Sequence, residues 1–248
     1  MGSIPNDFES QHGDRREITI LVTGFGPFQD QFPINPSYEI TRSLPDLLPS
    51  TSPHGRPIRI IPYGHPIRVA YNEVRELIPT VHEAYKHTVD LVLHIGMASG
   101  RKFYCAERYG RRDGYSRNKD LDGSMPPLEE GKTLFGDCPQ IMTTSLDYES
   151  VLVDWKDNVD RIPKTEPGAN AEVQASTDAG QYLCEYIYFN SLAYFGRKSG
   201  AMEGGKASDR PVLFMHVPAE SDGDMIDRGR AVALSLIRAM ADDYTRNR

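Results

Sequence analysis

The chain has 248 residues, enough for one large α/β domain and rather long for two independent cores. Its 28 Lys and Arg against 35 Asp and Glu leave a net charge of −7, which argues against a nucleic-acid partner, and no apolar run is long enough to span a bilayer. Three cysteines, Cys105, Cys138 and Cys184, are too few and odd in number for a secreted disulfide framework, and the polar start lacks the apolar core of a signal peptide, so the expected location is cytoplasmic.

Residues 1–16 are polar and aperiodic and are expected to form a disordered N-terminal arm, with 17–248 as a single domain. The β-branched run Ile18 to Thr23, ended by Gly24, predicts a buried strand. Asn35-Pro36 is a helix start, because Asn caps and Pro is tolerated at the first helical position. Pro49 to Pro57 is a turn-rich connector, and Ile58 to Tyr63 a second strand. Ala70, Val74, Leu77, Ile78, Val81 and Tyr85 recur at helical spacing, with Pro79 expected to kink or divide that helix. Leu91 to Ile95 is another buried strand closed by Gly96, and Lys102 to Tyr109 a further strand candidate. The Gly- and Pro-rich stretch from Arg111 to Gly136 predicts a long surface excursion. A helix is expected over Ser145–Val159, a short strand over Glu172–Ser176 and a helix over Ala179–Phe195. Gly200 to Arg210 reads as a flexible insertion, Val212 to Val217 as a strand, and Met225 to Tyr244 as a terminal helix. Alternating strands and helices predict an α/β fold, a three-layer αβα sandwich around a mixed, mostly parallel sheet. Ligands in such sheets gather outside the carboxyl ends of the strands, so the loops starting at Gly24, Gly96 and Val217 are where chemistry is expected.

Thr23-Gly24-Phe25-Gly26-Pro27-Phe28 superficially resembles a dinucleotide loop. The third glycine is missing, however, and Pro27 has no N–H to offer a phosphate. Phe25 and Phe28 are either core plugs or the aromatic floor of a site for a flat, uncharged ligand.

Three further residues could carry chemistry. Cys184 falls in the first turns of a helix, where the macrodipole favours a thiolate; the competing reading is a small buried hydrophobe. His216 ends an apolar strand and suits a general base, though a histidine tied to a loop carbonyl is the plainer reading, and His94 competes for the same role. Glu107 lies in a segment fit for burial, and period two sends Cys105 to the same face. A buried Glu needs a partner, which can be an imidazolium or one of Arg108, Arg111 and Arg112. No paired His or Cys spacing suggests a metal, and no cofactor is expected.

Taken together, these segments closely resemble the pyroglutamyl-peptidase I family of cysteine peptidases. Its opening signature stands here as Thr23 to Phe28 followed by Asn35-Pro36-Ser37. Its second is Gly96 to Arg101 with Glu107-Arg108, its third Ser176, Ala179, Gly180, Tyr182 and Cys184, and its fourth His216-Val217-Pro218. The four occur in the right order from Ile18 to Pro218. The resemblance implies a phosphorylase/hydrolase-like fold and a triad of Glu107, Cys184 and His216. It implies an aromatic ring pocket from Phe25, Phe28 and Tyr182, and a contribution of Arg101 to the oxyanion region. The implied activity is removal of an N-terminal 5-oxoproline from small peptides; assembly into a homo-oligomer stays open.

Some positions depart from the family pattern. Asp178 replaces a small hydroxyl residue, Glu185 an Asn after the nucleophile, and Met97 a residue that is often polar. Two carboxylates near a thiolate are expected to raise its pKa. A catalytically weak binding or regulatory protein on the same fold, and a nucleotide-handling α/β enzyme, are the competing functions.

Overall fold

The computed structural model describes residues 17–50 and 55–248, so the expected arm, 1–16, lies outside the described residues. Along the chain run β1 (Ile18–Gly24), α1 (Pro36–Arg42), β2 (Leu47–Leu48), β3 (Ile58–Pro62), α2 (Tyr71–Tyr85), β4 (Leu91–Met97), β5 (Tyr104–Glu107) and β6 (Tyr109–Arg111). There follow α3 (Glu130–Phe135), β7 (Ile141–Thr143), α4 (Tyr148–Asp160), β8 (Val173–Ser176), α5 (Leu183–Ser199), β9 (Val212–Val217) and α6 (Gly223–Asn247).

A seven-stranded sheet has the order β2-β3-β1-β4-β9-β5-β8. β3, β1, β4 and β9 are parallel neighbours, β2 is an antiparallel edge, and β5 runs against β9 with β8 parallel to it. The sheet is thus mixed and mostly parallel. Strand alternation sorts the core into two halves. Ile18, Ile20 and Val22 of β1, Leu91, Leu93 and Ile95 of β4, and Leu213, Met215 and Val217 of β9 face α1, α4 and α6. Leu21, Val92, Val212 and Phe214 point the other way, toward α2 and α5. The same period puts Tyr104 and Ala106 in the first half, and therefore turns Cys105 and Glu107 toward α5. Those three helices, the sheet and the α2–α5 pair are the three layers expected.

Asn35 caps α1 as its sequence suggests, accepting the Ser37 N–H at 3.1 Å, with Pro36 in the first turn. Pro79 does not divide α2; its ring lies on the exposed side, where water can solvate the carbonyl it leaves unpaired. Two expectations need correction. α5 begins at Leu183 rather than Ala179, because Gly180 (φ 92°) and Gln181 (φ 44°) are left-handed and cannot continue a right-handed helix. The 111–136 stretch runs mostly over the surface as expected and is anchored there: Tyr115 is buried against Tyr71 and Tyr186, and Asp120 accepts the Tyr71 N–H at 2.9 Å. The 200–210 insertion is likewise pinned, since buried Arg210 donates to the carbonyls of Thr143 at 3.0 Å and Gly204 at 2.8 Å.

Beneath the first loop a buried polar chain links β1 to α2. Thr23 Oγ1 meets His94 Nδ1 at 2.7 Å, His94 Nε2 meets Ser191 Oγ at 2.7 Å, and Ser191 Oγ meets His82 Nε2 at 2.8 Å. Burial pushes His82 down to about 3 and His94 well below its ordinary value. Both rings stay neutral in the fold while the unfolded chain takes up protons below about pH 6.5. Folded-state pKa values that are depressed make stability fall as pH drops from 6.5 toward 3, on the order of 2 kcal/mol per ring by pH 5. Urea midpoints measured between pH 7.5 and 5 should show this decline, and His82→Phe should flatten it appreciably; an unchanged slope in that variant would remove His82 from the account.

Candidate active site

Because β5 runs against β9, its residues pair downward from the sheet edge: Cys105 lies opposite His216, and Glu107 opposite Phe214. Glu107 therefore sits two residues deeper than His216, fully buried. A bare carboxylate there would be costly, and two side chains compensate it through one oxygen. His216 Nδ1 and Arg101 Nη1 each lie 2.7 Å from Glu107 Oε1, and Ser176 is its partner across the β5–β8 ladder; Oε2 has no hydrogen-bond partner among the described residues. Burial alone would raise the Glu107 pKa; the hydrogen bond and charge of His216, helped by Ser176 and Arg101, outweigh it and bring the group to about 2. An ionised carboxylate only accepts, so His216 Nδ1 must carry the hydrogen, which leaves the lone pair of the neutral ring on Nε2.

Cys184 is the second residue of α5, at the positive end of the macrodipole. Its sulfur rests over the end of β4. A Cβ added at Gly96 would fall 2.7 Å from Cys184 Sγ and 2.6 Å from Phe214 Cζ, so only glycine leaves room there. Gly96 is the β-ladder partner of His216, so the sulfur resting over β4 lies level with the imidazole of the adjacent strand β9. Among the described residues, no hydrogen bond joins Cys184 to His216. Cys184 is only part-buried as a residue, yet its packing pushes the thiol up to about 12, the Glu107 charge adding to the rise and the Arg101 charge opposing it. The resting sulfur is thus a neutral thiol.

Cys184 lines a cleft of about 80 Å³ with Phe25, Phe28, Asn35, Val69, Met97, Ser99, Tyr182 and Leu183. Phe28 and Tyr182 face each other with ring centroids 5.6 Å apart, and the Tyr182 hydroxyl donates to the Lys119 carbonyl at 2.9 Å. Phe25 is both core and wall, being 3% exposed. The loop offers nothing to a phosphate, since its amides are already used: Phe25 N–H donates to Ser37 Oγ, Gly26 N–H to the Ile67 carbonyl and Phe28 N–H to the Phe32 carbonyl. Larger hollows, of about 480 and 260 Å³, are lined by residues of both α2 and α5 and include none of Cys184, Glu107 and His216.

A model of the family described as pyroglutamyl peptidase matches residues 18–236. The chain belongs to that family. Human pyroglutamyl-peptidase 1 is 30% identical over 230 residues, covering 90% of each chain, and the rat protein is 30% identical over 205 residues, 80% of this chain and 78% of that one. Among solved structures, the pyrrolidone carboxyl peptidase of Thermococcus litoralis superposes with a TM-score of 0.67 at 20% identity, over 92% of this chain and 95% of that one, and so shares the fold.

The structure brings Glu107 and His216 into contact and sets Cys184 beside them, and it gathers Phe25, Phe28 and Tyr182 around the cleft. The Arg101 guanidinium lies behind the acid, 2.7 Å from both Glu107 Oε1 and Cys105 Sγ, and its other end donates to the Asp178 carbonyl, so it does not line the cleft. The arginines weighed as partners of Glu107 have other acceptors, Arg108 pairing with Glu149, Arg111 with Glu185 and Arg112 with Asp113. His94 is spent in the buried chain with Thr23 and Ser191. Cys105 Sγ, Glu107 and His216 lie within 4.8 Å of one another in a set a metal ion could use, but Arg101 Nη1 already supplies the cation there. The sequence reading missed Asn35 as a wall of the cleft and Arg101 as the partner of the acid; the Gly100-Arg101 turn six residues ahead of Glu107 was the available signal.

The close fit at Gly96 is testable. Gly96→Ala should slow iodoacetamide modification of Cys184 at least tenfold, because sulfur and Phe214 must both shift. Modification at the wild-type rate in a folded variant would contradict the sulfur's placement.

Proposed function

We propose that the chain is a cysteine exopeptidase that hydrolyses the amide bond after an N-terminal pyroglutamyl residue. The observation that carries this reading is the hydrogen-bonded Glu107–His216 pair beside a helix-start thiol that opens into a small aromatic cleft. A flat lactam with no charged amine suits such a cleft, because aromatic faces select it and a charged N-terminus would be desolvated without a partner. The names of the human and rat relatives point to the same activity.

In the proposed reaction, His216 Nε2 takes the Cys184 proton as the ring docks, and the ionised Glu107 stabilises the imidazolium through Nδ1. The thiolate attacks the pyroglutamyl carbonyl carbon. The oxyanion that forms faces the Cys184 backbone N–H at the start of α5, where the helix dipole favours negative charge. His216 then protonates the leaving amine as the C–N bond breaks, giving a thioester. Water, deprotonated by His216, hydrolyses that thioester, releasing pyroglutamate and restoring the thiol. A thiol held neutral at rest fits a nucleophile that ionises only with substrate in place, since pairing with an imidazolium offsets the burial that raises its pKa. Arg101 is assigned the role of holding Glu107 rather than touching substrate.

A fluorogenic pyroglutamyl amide should be hydrolysed, the corresponding prolyl amide should not, and Cys184→Ala should lower kcat by about 10³-fold or more. Cys105→Ala should retain most activity. Equal inactivity of wild type and Cys184→Ala, with pyroglutamyl peptides still bound, would make the chain a binding protein instead.

A further inference from the structure

The residue after the nucleophile is Glu185, and it is fully buried. A second buried carboxylate one position from a thiol that must become an anion is at first sight a handicap. Its contacts suggest a use. Glu185 Oε2 accepts the backbone N–H of Gln181 at 2.8 Å, and Oε1 accepts the backbone N–H of Arg111 at 2.9 Å. The Arg111 guanidinium meets both oxygens, at 3.0 and 3.1 Å, and its far end donates to the Thr177 carbonyl at 3.3 Å. The carboxylate is thereby charge-compensated and fully engaged.

What it holds is the turn that delivers Cys184. Gly180 and Gln181 are consecutive left-handed residues at φ 92° and 44°, and Gln181 pays for that conformation because it has a Cβ. Such a geometry persists only where its surroundings enforce it. Glu185, in the first turn of α5, reaches back to the Gln181 N–H in the manner of a capping box. The turn is closed further by Asp178, whose Oδ1 accepts the Gly180 N–H at 3.2 Å. The ring wall is anchored separately, through the Tyr182 hydroxyl on the Lys119 carbonyl and the rings of Phe28 and Tyr71.

We propose that Glu185, paired with Arg111, is a positioning residue: it fixes the left-handed Gly180–Gln181 turn and so sets where α5 begins and where the Cys184 sulfur sits over Gly96. This rests on Cys184 being the nucleophile. The pair acts through backbone geometry, so its loss misplaces the attacking atom while leaving the ring cleft able to bind.

The test uses the full-length chain and the fluorogenic pyroglutamyl amide. Glu185→Gln and Arg111→Gln should each lower kcat at least tenfold with KM changed by less than threefold. The double variant R111Q/E185Q, which leaves no unpaired buried charge, should be no slower than the slower single, because the two residues work as one unit. Adding Gln181→Gly to Glu185→Gln should recover at least threefold in kcat, since glycine takes the left-handed conformation freely. A purely structural ion pair predicts instead that activity falls only with the folded fraction, measured by circular dichroism, and that Q181G rescues nothing. Wild-type kcat in the folded double variant would overturn the proposal even if the single variants fail to fold. If wild type itself does not cleave the amide, the functional reading fails; the positioning claim is then read from the rate of Cys184 alkylation by iodoacetamide, which must change at least tenfold in the double variant or the claim falls.

Discussion

The compensation of one buried carboxylate organises the site. Glu107 has no exposed surface, and leaving it ionised there requires donors close at hand. They come from two places in the chain: His216 on the neighbouring strand β9 and Arg101 in the turn before β5. Each donor is brought there by the sheet or its connections, so the acid ties the local topology to the chemistry. Once ionised, Glu107 fixes a hydrogen of His216 on Nδ1, which leaves Nε2 free of that contact. It also places a negative charge close enough to Cys184 to help keep the sulfur protonated at rest.

The reversal of β5 makes this possible. In the parallel part of the sheet, functional groups cluster at the carboxyl edge, as the loops after β1, β4 and β9 do here. A fifth parallel strand ending beside His216 would deliver its last residue at that edge, in reach of water. Running the other way, β5 enters beside His216 with Cys105 and carries Glu107 on beneath it. The acid is desolvated while the imidazole stays near the rim and the thiol opens on the cleft. Strand direction thus sets the acid deeper than the imidazole, while α5 brings the thiol to the cleft.

Much of this was legible in the sequence, for identifiable reasons. Long β-branched runs such as Ile18–Thr23 and Val212–Val217 report burial directly, and their alternation predicts which side chains share a face; Cys105 and Glu107 were paired this way. Asn35-Pro36 reported its helix start through local chemistry, which needs no tertiary information. What escaped depended on distant partners. Nothing local in Gly200–Arg210 shows that Arg210 is buried under three carbonyls, and nothing in Arg111–Gly136 shows that Tyr115 packs between Tyr71 and Tyr186. The start of α5 was set four residues early because Ala, Gln and Tyr tolerate a helix, whereas the chain takes left-handed backbone at Gly180 and Gln181. Four of the acid's surrounding arginines were visible as charges, but the sequence does not say which one turns inward.

Glu185 illustrates how composition can mislead about electrostatics. Counted as a charge near a thiol, it should blunt the nucleophile, and its field does push the Cys184 pKa upward, although burial and Glu107 push harder. Asp178, the other suspect, is largely solvent-exposed, so water screens its charge. The charge on Glu185 is opposed at close range by Arg111, and its oxygens are spent on two backbone amides. What reaches the sulfur is therefore the field of a compensated pair, whereas the hydrogen bond to Gln181 acts undiminished on the turn just ahead of Cys184. An uncharged Asn there can make amide hydrogen bonds, but it cannot pair with a guanidinium; in this chain the acid and Arg111 come together, and neither makes sense alone.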